Sequence, residues 1–225
     1  MFPSFSVWII SFGGLAPPLV DVNSKKKLVS LIKTCSCILY DLDGTLFDLH
    51  VAWGNIQNFI YNHYKSEYGE EIPPLNRFYA MFDFIKKEKG KDIVQFYLNY
   101  MKKQEYNAVL EKKFSPTWLT NEGLDKIGEM IRFDTFYGII SSNFHDTLIE
   151  VVTQTGMIDK FKIIIGRDDV EIAKPNPEGI LRVIDAYNLK REDVLFIGDT
   201  SGDEKAAQNA QVNFIYVDDL QKLLE

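Results

Sequence analysis

From Thr135 to the C-terminus, short apolar runs alternate with stretches of helical periodicity, and this alternation restricts the fold more than any other feature of the chain. FYGIIS, FKIIIG, DVLFIGD and FIYV read as strands. Residues 146–155, 177–187 and 203–210 read as helices, the second with Pro177 at or near its first turn, and a short helix closes the chain. Strands this apolar are buried on both faces, and strands separated by helices cannot pair as hairpins. The expected fold class is α/β, a doubly wound, mostly parallel sheet with right-handed crossovers. In such sheets ligands sit beyond the carboxyl ends of the strands.

One earlier strand belongs to the same sheet. In CILYDLDGTLFD the apolar run Ile38-Leu39-Tyr40 ends on Asp41 and Asp43, then turns at once through Gly44 and Thr45. Ionised carboxylates at the end of a buried strand are costly unless something pairs with them. Side chains two residues apart on a strand point the same way, so Asp41 and Asp43 are expected to converge, repel each other and call for a cation. From Val51 to about Arg132 the pattern is helical, punctuated by Gly69, Pro73-Pro74, Gly90 and Ser115-Pro116, with no clear strand. The expected organisation is an N-terminal extension over 1–24, an α/β core over 25–49 and 135–225, and a helical cap inserted over 50–134.

Composition removes several function classes. A formal net charge of −7 argues against a nucleic-acid protein, because the short lysine runs at 25–27, 86–91 and 112–113 are ordinary solvated faces. The apolar N-terminal stretch FPSFSVWIISFGGLAPPLV is too short and too broken by Pro and Gly to span a bilayer, and it lacks a basic signal-type start. It reads as a surface-packed appendage or an upstream translation start, with a weak membrane or partner anchor as the minor alternative. Only two cysteines occur, Cys35 and Cys37, and they are expected as small core residues on one strand face. A reducing, cytoplasmic setting fits.

Three strand ends carry polar groups suited to one site. The first ends in Asp41-Leu42-Asp43-Gly44-Thr45, the second in Ser141-Ser142-Asn143, and the third in Asp199, with Asp203 four residues on. Lys174 lies in the loop after the IIIG strand. Four acids at one sheet end are tolerable around a divalent ion, and all-oxygen ligation favours Mg²⁺ over zinc. A hard cation, a lysine and hydroxyls suit a phosphoryl group. No serine–histidine–acid pattern is present, so a carboxylate nucleophile is the chemically reasonable attacking group.

These residues resemble the haloacid dehalogenase-like superfamily of phosphohydrolases, in its phosphoglycolate-phosphatase-like subgroup with a C1-type cap. Asp41-x-Asp43-Gly44-Thr45 is similar to its first motif, the IISSN strand end to its second, Lys174-Pro175 to its third and GDTSGD to its fourth, all in family order. The resemblance implies a phosphatase of a small phosphorylated metabolite, phosphoglycolate-like or a sugar phosphate, acting through an aspartyl-phosphate. Asp41 would be the nucleophile and Asp43 the general acid/base. The Asp41 side chain, the Asp43 backbone carbonyl and Asp199 would hold Mg²⁺, while Asp203 would bind through water or orient Lys174. Lys174, Ser141 or Ser142, and Gly44 and Thr45 would contact the phosphate, with Ser141 favoured over Ser142. A dehalogenase is not expected, because those members usually lack the second aspartate. A phosphomutase on the same core and a non-catalytic binding protein are the alternatives.

Each of these residues also has a plainer structural role open to it. One of Ser141 and Ser142 is expected to cap the following helix. Asp199 and Asp203 could be helix-start acids, and Asp168 and Asp169 in GRDDV are expected to be structural loop acids.

Overall fold

In the computed structural model residues 25–75 and 77–225 are described, so the expected extension over 1–24 lies outside the described residues. Helix α1 (Lys25–Thr34) leads into β1 (Cys37–Tyr40) and the short strand β2 (Phe47–Leu49). Helices α2 (Trp53–Tyr68), α3 (Phe78–Lys89) and α4 (Lys91–Leu110) follow, then β3 (Phe114–Pro116) and a π-helical turn, Leu119–Gly123, that continues into α5 (Leu124–Gly128). The rest alternates as β4 (Phe136–Ile140), α6 (His145–Gln154), β5 (Phe161–Ile165), α7 (Glu178–Tyr187), β6 (Val194–Gly198), α8 (Ser201–Ala210), β7 (Asn213–Tyr216) and α9 (Val217–Leu224).

The expected parallel sheet is present, with strand order β5-β4-β1-β6-β7. β1 is its centre, and Leu39 lies in register with Gly138 of β4 on one side and Phe196 of β6 on the other. From β1 the chain builds outward through β4 and β5, then crosses back to lay β6 and β7 on the opposite flank. The order reverses at β1, so a crevice opens beyond its carboxyl end, where Asp41 follows.

Burial explains the sheet's stability. All four β1 residues are buried. Cys37 and Leu39 join Ile140, Ile165, Phe196 and Phe214 in one apolar cluster with Ile180, Val183 and Ile184 of α7. Ala206, Ala207 and Ala210 complete it from α8, where small side chains let the helix approach closely. Tyr40, one residue along, packs edge-on against Tyr137 with ring centroids 5.4 Å apart. Cys35 and Cys37 are free, buried thiols, and burial pushes both up to about 12. Cys35 lies in the link between α1 and β1, not on the strand itself.

The described chain divides into two compact units. The sheet-bearing unit runs up to Leu49 and resumes at Phe114, and the other is His50–Lys113. Within the second, Ile56, Ile60 and Tyr64 of α2, Met81, Phe82 and Ile85 of α3, and Tyr97 and Met101 of α4 form the buried stripes that helical spacing predicts. The insert leaves and re-enters through β2 and β3, which pair antiparallel with Leu49 opposite Phe114. Residues 114–134, expected in the cap, therefore group with the sheet. Among the described residues no helix is long and apolar enough to cross a membrane.

Truncation at the sheet centre has a clear expected outcome. Leu39 is fully buried, and Leu39→Ala should lower unfolding stability by about 2–5 kcal/mol, read from the urea midpoint at unchanged slope.

Candidate active site

β1 ends at Tyr40 and its pleat ends there too. The Asp41 backbone N–H donates to the Ile197 carbonyl at 2.9 Å, which keeps Asp41 against β6 and close to Asp199 just past its end. Beyond Asp41 the chain turns, so strand alternation no longer governs Asp43. The Asp43 carboxylate accepts the Leu49 N–H at 2.8 Å. The carboxylates that converge are Asp41, Asp199 and Asp203, whose oxygens lie within 4.8 Å of one another. The expected convergence of Asp41 with Asp43 is replaced by that set.

Lys174 holds the cluster together. Its side chain is 6% exposed, and its ammonium stands 2.8 Å from Asp41 Oδ1 and 2.5 Å from Asp203 Oδ1. It also donates to the Ile140 carbonyl at the end of β4, at 3.0 Å. Two of its protons are accepted, by Asp203 and by the Ile140 carbonyl, and the contact with Asp41 is an ion pair. The other oxygen of Asp203 accepts the Thr200 N–H at 2.9 Å and the Thr200 hydroxyl at 2.5 Å. With the Asp203 N–H returning to the Thr200 hydroxyl at 3.3 Å, this is a capping box at the start of α8. Asp203 is thus both a helix-start acid and the partner that orients Lys174. Gly198 permits the close approach, since a Cβ there would lie 2.6 Å from the Asp203 Cβ.

The electrostatics follow from this pairing. Burial raises Asp41 above the usual carboxylate range, and the Asp203 charge adds to it against the opposing pull of Lys174. Burial also acts upward on Asp203, but Lys174 and Thr200 outweigh it and hold the group below the usual range. Burial opposes the charge of Lys174, yet Asp203 and Asp41 push its pKa above the ordinary lysine value. Asp199 forms no ion pair among the described residues, although Lys174 acts on it from a distance. Burial, then Asp41 and Asp203, raise it to about 7. A hard divalent ion would relieve that repulsion, and the donor set fits one. Asp41 and Asp199 could hold it, whereas both oxygens of Asp203 are already engaged.

The turn after Asp41 is braced for this purpose. Gly44 has φ +82°, and a Cβ there would lie 2.4 Å from Asp199 Oδ2. The Gly44 N–H donates to the Phe47 carbonyl at 2.8 Å and the Thr45 N–H to the Leu42 carbonyl at 3.2 Å, so both backbone N–H groups are used inside the turn. The buried Thr45 hydroxyl donates to Asp199 Oδ1 at 3.2 Å. Thr117 donates to the Thr45 carbonyl at 2.6 Å, and Thr120 to the Leu46 carbonyl. These two threonines have no motif signal and are invisible in the sequence.

At the end of β4, Ser141 is buried and donates to the Asn143 side-chain oxygen at 2.8 Å, while Ser142 is exposed. Neither serine caps α6, whose cap position is Phe144. The His145 N–H is accepted instead by Asp168 Oδ1 at 2.7 Å, because the β5–α7 loop passes directly beneath the helix start.

Two outcomes test this geometry. Gly44→Ala should displace Asp199 and weaken divalent-ion binding about tenfold or more, read by titrating Mg²⁺ into the metal-free protein. Asp199 is an exposed residue whose carboxyl is partly desolvated, and its pKa, raised from 3.8 to about 7, lets the folded protein keep a proton that the unfolded chain releases at lower pH. Stability therefore falls as pH rises between these two values. Asp199→Asn should raise the Tm of chelator-treated protein at pH 8 by about 2–4 °C, with the gain vanishing toward pH 4.

Comparison with known proteins gives the family and the fold. The family model for "Haloacid dehalogenase-like hydrolase" matches residues 38–217. Pyrophosphatase PpaX from Listeria welshimeri is 29% identical over 182 residues, covering 77% of this chain and 79% of the relative. A haloacid dehalogenase-like hydrolase structure from Bacteroides fragilis superposes with TM-score 0.61 at 23% identity, covering 80% of this chain and 86% of that one. A Lactobacillus plantarum structure named for phosphoglycolate phosphatase gives TM-score 0.56 at 19% identity, covering 82% and 86%. At these identities the two structures speak for the fold. The family model spans well over half of the chain, and the chain belongs to the haloacid dehalogenase-like hydrolases.

Proposed function

We propose that the chain hydrolyses a small phosphorylated metabolite in a Mg²⁺-dependent reaction through an aspartyl-phosphate on Asp41. The observation that carries this reading is the shared ammonium of Lys174, 2.8 Å from Asp41 and 2.5 Å from Asp203. It fixes a buried carboxylate and opposes the upward pull of burial on it, beside Asp199, a second acid of the same cluster. Asp41 and Asp199 would hold the metal, with the Asp43 backbone carbonyl, and the ion would neutralise charge on the phosphoryl oxygens.

Asp41 attacks phosphorus, and the ester oxygen leaves with a proton from the Asp43 carboxyl. The bond from the Leu49 N–H to Asp43 at 2.8 Å fixes that carboxyl's orientation. Asp43 then takes a proton from the water that hydrolyses the acyl phosphate, and inorganic phosphate departs. Ser141 and Lys174 contact the phosphate. Support for the substrate class comes from relatives named as pyrophosphatase and phosphoglycolate phosphatase. A phosphate-release screen over phosphorylated metabolites and pyrophosphate, with and without Mg²⁺, tests the reading.

Asp41→Asn should abolish turnover while preserving the fold, because an amide is nearly isosteric and cannot attack. More than a few per cent of wild-type activity in a clean preparation would sink the assignment. Ser141→Ala should lower kcat/KM by about 10- to 150-fold, the worth of one hydrogen bond to a charged oxygen. Ser142→Ala should leave it near wild type. Swapped phenotypes would make Ser142 the phosphate ligand.

A further inference from the structure

The serine turn after β4 and the lysine-bearing loop after β5 are joined by contacts that the catalytic motifs do not account for. Along the backbone, the Ser141 N–H donates to Ile165 at 3.0 Å and the Arg167 N–H to Asn143 at 2.8 Å. At Gly166 the two loops come so close that a Cβ would lie 2.5 Å from the His145 nitrogen. Two adjacent acids of the lysine loop then reach across to the same residue. Asp168 accepts the His145 N–H at 2.7 Å, and Asp169 Oδ2 stands 2.6 Å from His145 Nδ1.

The bond to Asp169 fixes the imidazole. An ionised carboxylate only accepts, so His145 carries its proton on Nδ1. The same Asp169 oxygen takes the Gly166 N–H of its own loop at 2.7 Å, and the Asp169 carbonyl accepts from Arg182 of α7 at 2.5 Å. Arg182 in turn pairs with Glu178 at 2.6 Å. The Glu178 carboxylate accepts the Glu171 and Ile172 N–H groups at 3.1 and 3.0 Å, three and two residues ahead of Lys174. A chain of polar contacts thus runs from the start of α6 to the base of the lysine.

We infer that His145 and Asp169 are positioning residues of the hydrolytic site, whose contact holds the Ser141–Asn143 turn in register with the loop that carries Lys174. Neither side chain belongs to the carboxylate cluster. A half-exposed histidine–aspartate pair adds little to global stability. Its effect is on geometry. The Ser141 hydroxyl and the Lys174 ammonium must meet one phosphate together, and a slip between their loops separates them. The inference rests on the proposed phosphatase reading.

The test uses the full chain with Mg²⁺, p-nitrophenyl phosphate as substrate and inorganic phosphate as a competing ligand. His145→Ala and Asp169→Asn should each raise KM and the inhibition constant for phosphate about tenfold, with kcat within about threefold of wild type. His145→Asn places an amide N–H near the position of Nδ1 and should recover most of the loss. Unchanged KM and phosphate affinity in His145→Ala, or no recovery in His145→Asn although it melts like wild type, would overturn the brace. Should a variant fold poorly, its folded fraction is compared by calorimetric phosphate binding, where wild-type affinity again overturns it. A wild type that releases no phosphate and binds none would overturn the phosphatase reading, an outcome distinct from a variant-specific result.

Discussion

The whole site depends on one buried ammonium. Lys174 stands between Asp41 and Asp203, hydrogen-bonded to Asp203 and to the end of β4 and ion-paired with Asp41. A lysine taken out of water is costly, and two carboxylates side by side are costly too. Together they offset each other, provided that their loops arrive in register. The sheet supplies that register. β4 gives the carbonyl, β1 gives Asp41 and β6 gives the start of α8, so three neighbouring parallel strands meet around one charge. Asp199 is outside these contacts, and desolvation, then the charges of Asp41 and Asp203, raise its pKa to about 7. The repulsion left on it is the electrostatic case for a divalent ion.

The surrounding loops serve the same end with neutral hydrogen bonds. Thr200 occupies the far oxygen of Asp203, Thr45 reaches Asp199, and Thr117 holds the Thr45 carbonyl. Each fixes a group that would otherwise have rotational freedom, so the site is organised before any ligand arrives. Residues after β3 take part in this although they follow the inserted helices in sequence. The insert is confined to His50–Lys113, and the chain returns to the sheet unit through the β2–β3 pair.

The sequence made much of this legible. The apolar runs around Ile139, Ile164 and Phe196 marked the parallel sheet, and the polar residues at their ends marked its carboxyl edge. What stayed hidden is short or non-local. In α1 the sequence shows a run of lysines ahead of the buried Leu28, Leu31 and Ile32, and β2 and β3 have three residues each, too few for alternation to register. Alternation also failed one residue past β1, where the turn sends Asp43 toward Leu49 and Asp203 takes the expected place beside Asp41. The cap expected from Ser141 or Ser142 is supplied by Asp168, 23 residues from the N–H it accepts, and sequence spacing carries no sign of such a contact.

The central claim is that Asp41, held by Lys174, becomes covalently phosphorylated during turnover. The direct measurement is to quench the enzyme with substrate and Mg²⁺ at steady state, reduce with borohydride and sequence the peptides by mass spectrometry. An acyl phosphate is reduced to the alcohol, so the account predicts homoserine at position 41 and at no other aspartate. Reduction at Asp43, Asp199 or Asp203, or turnover with no reduced aspartate under conditions that trap a known acyl phosphate, would contradict it.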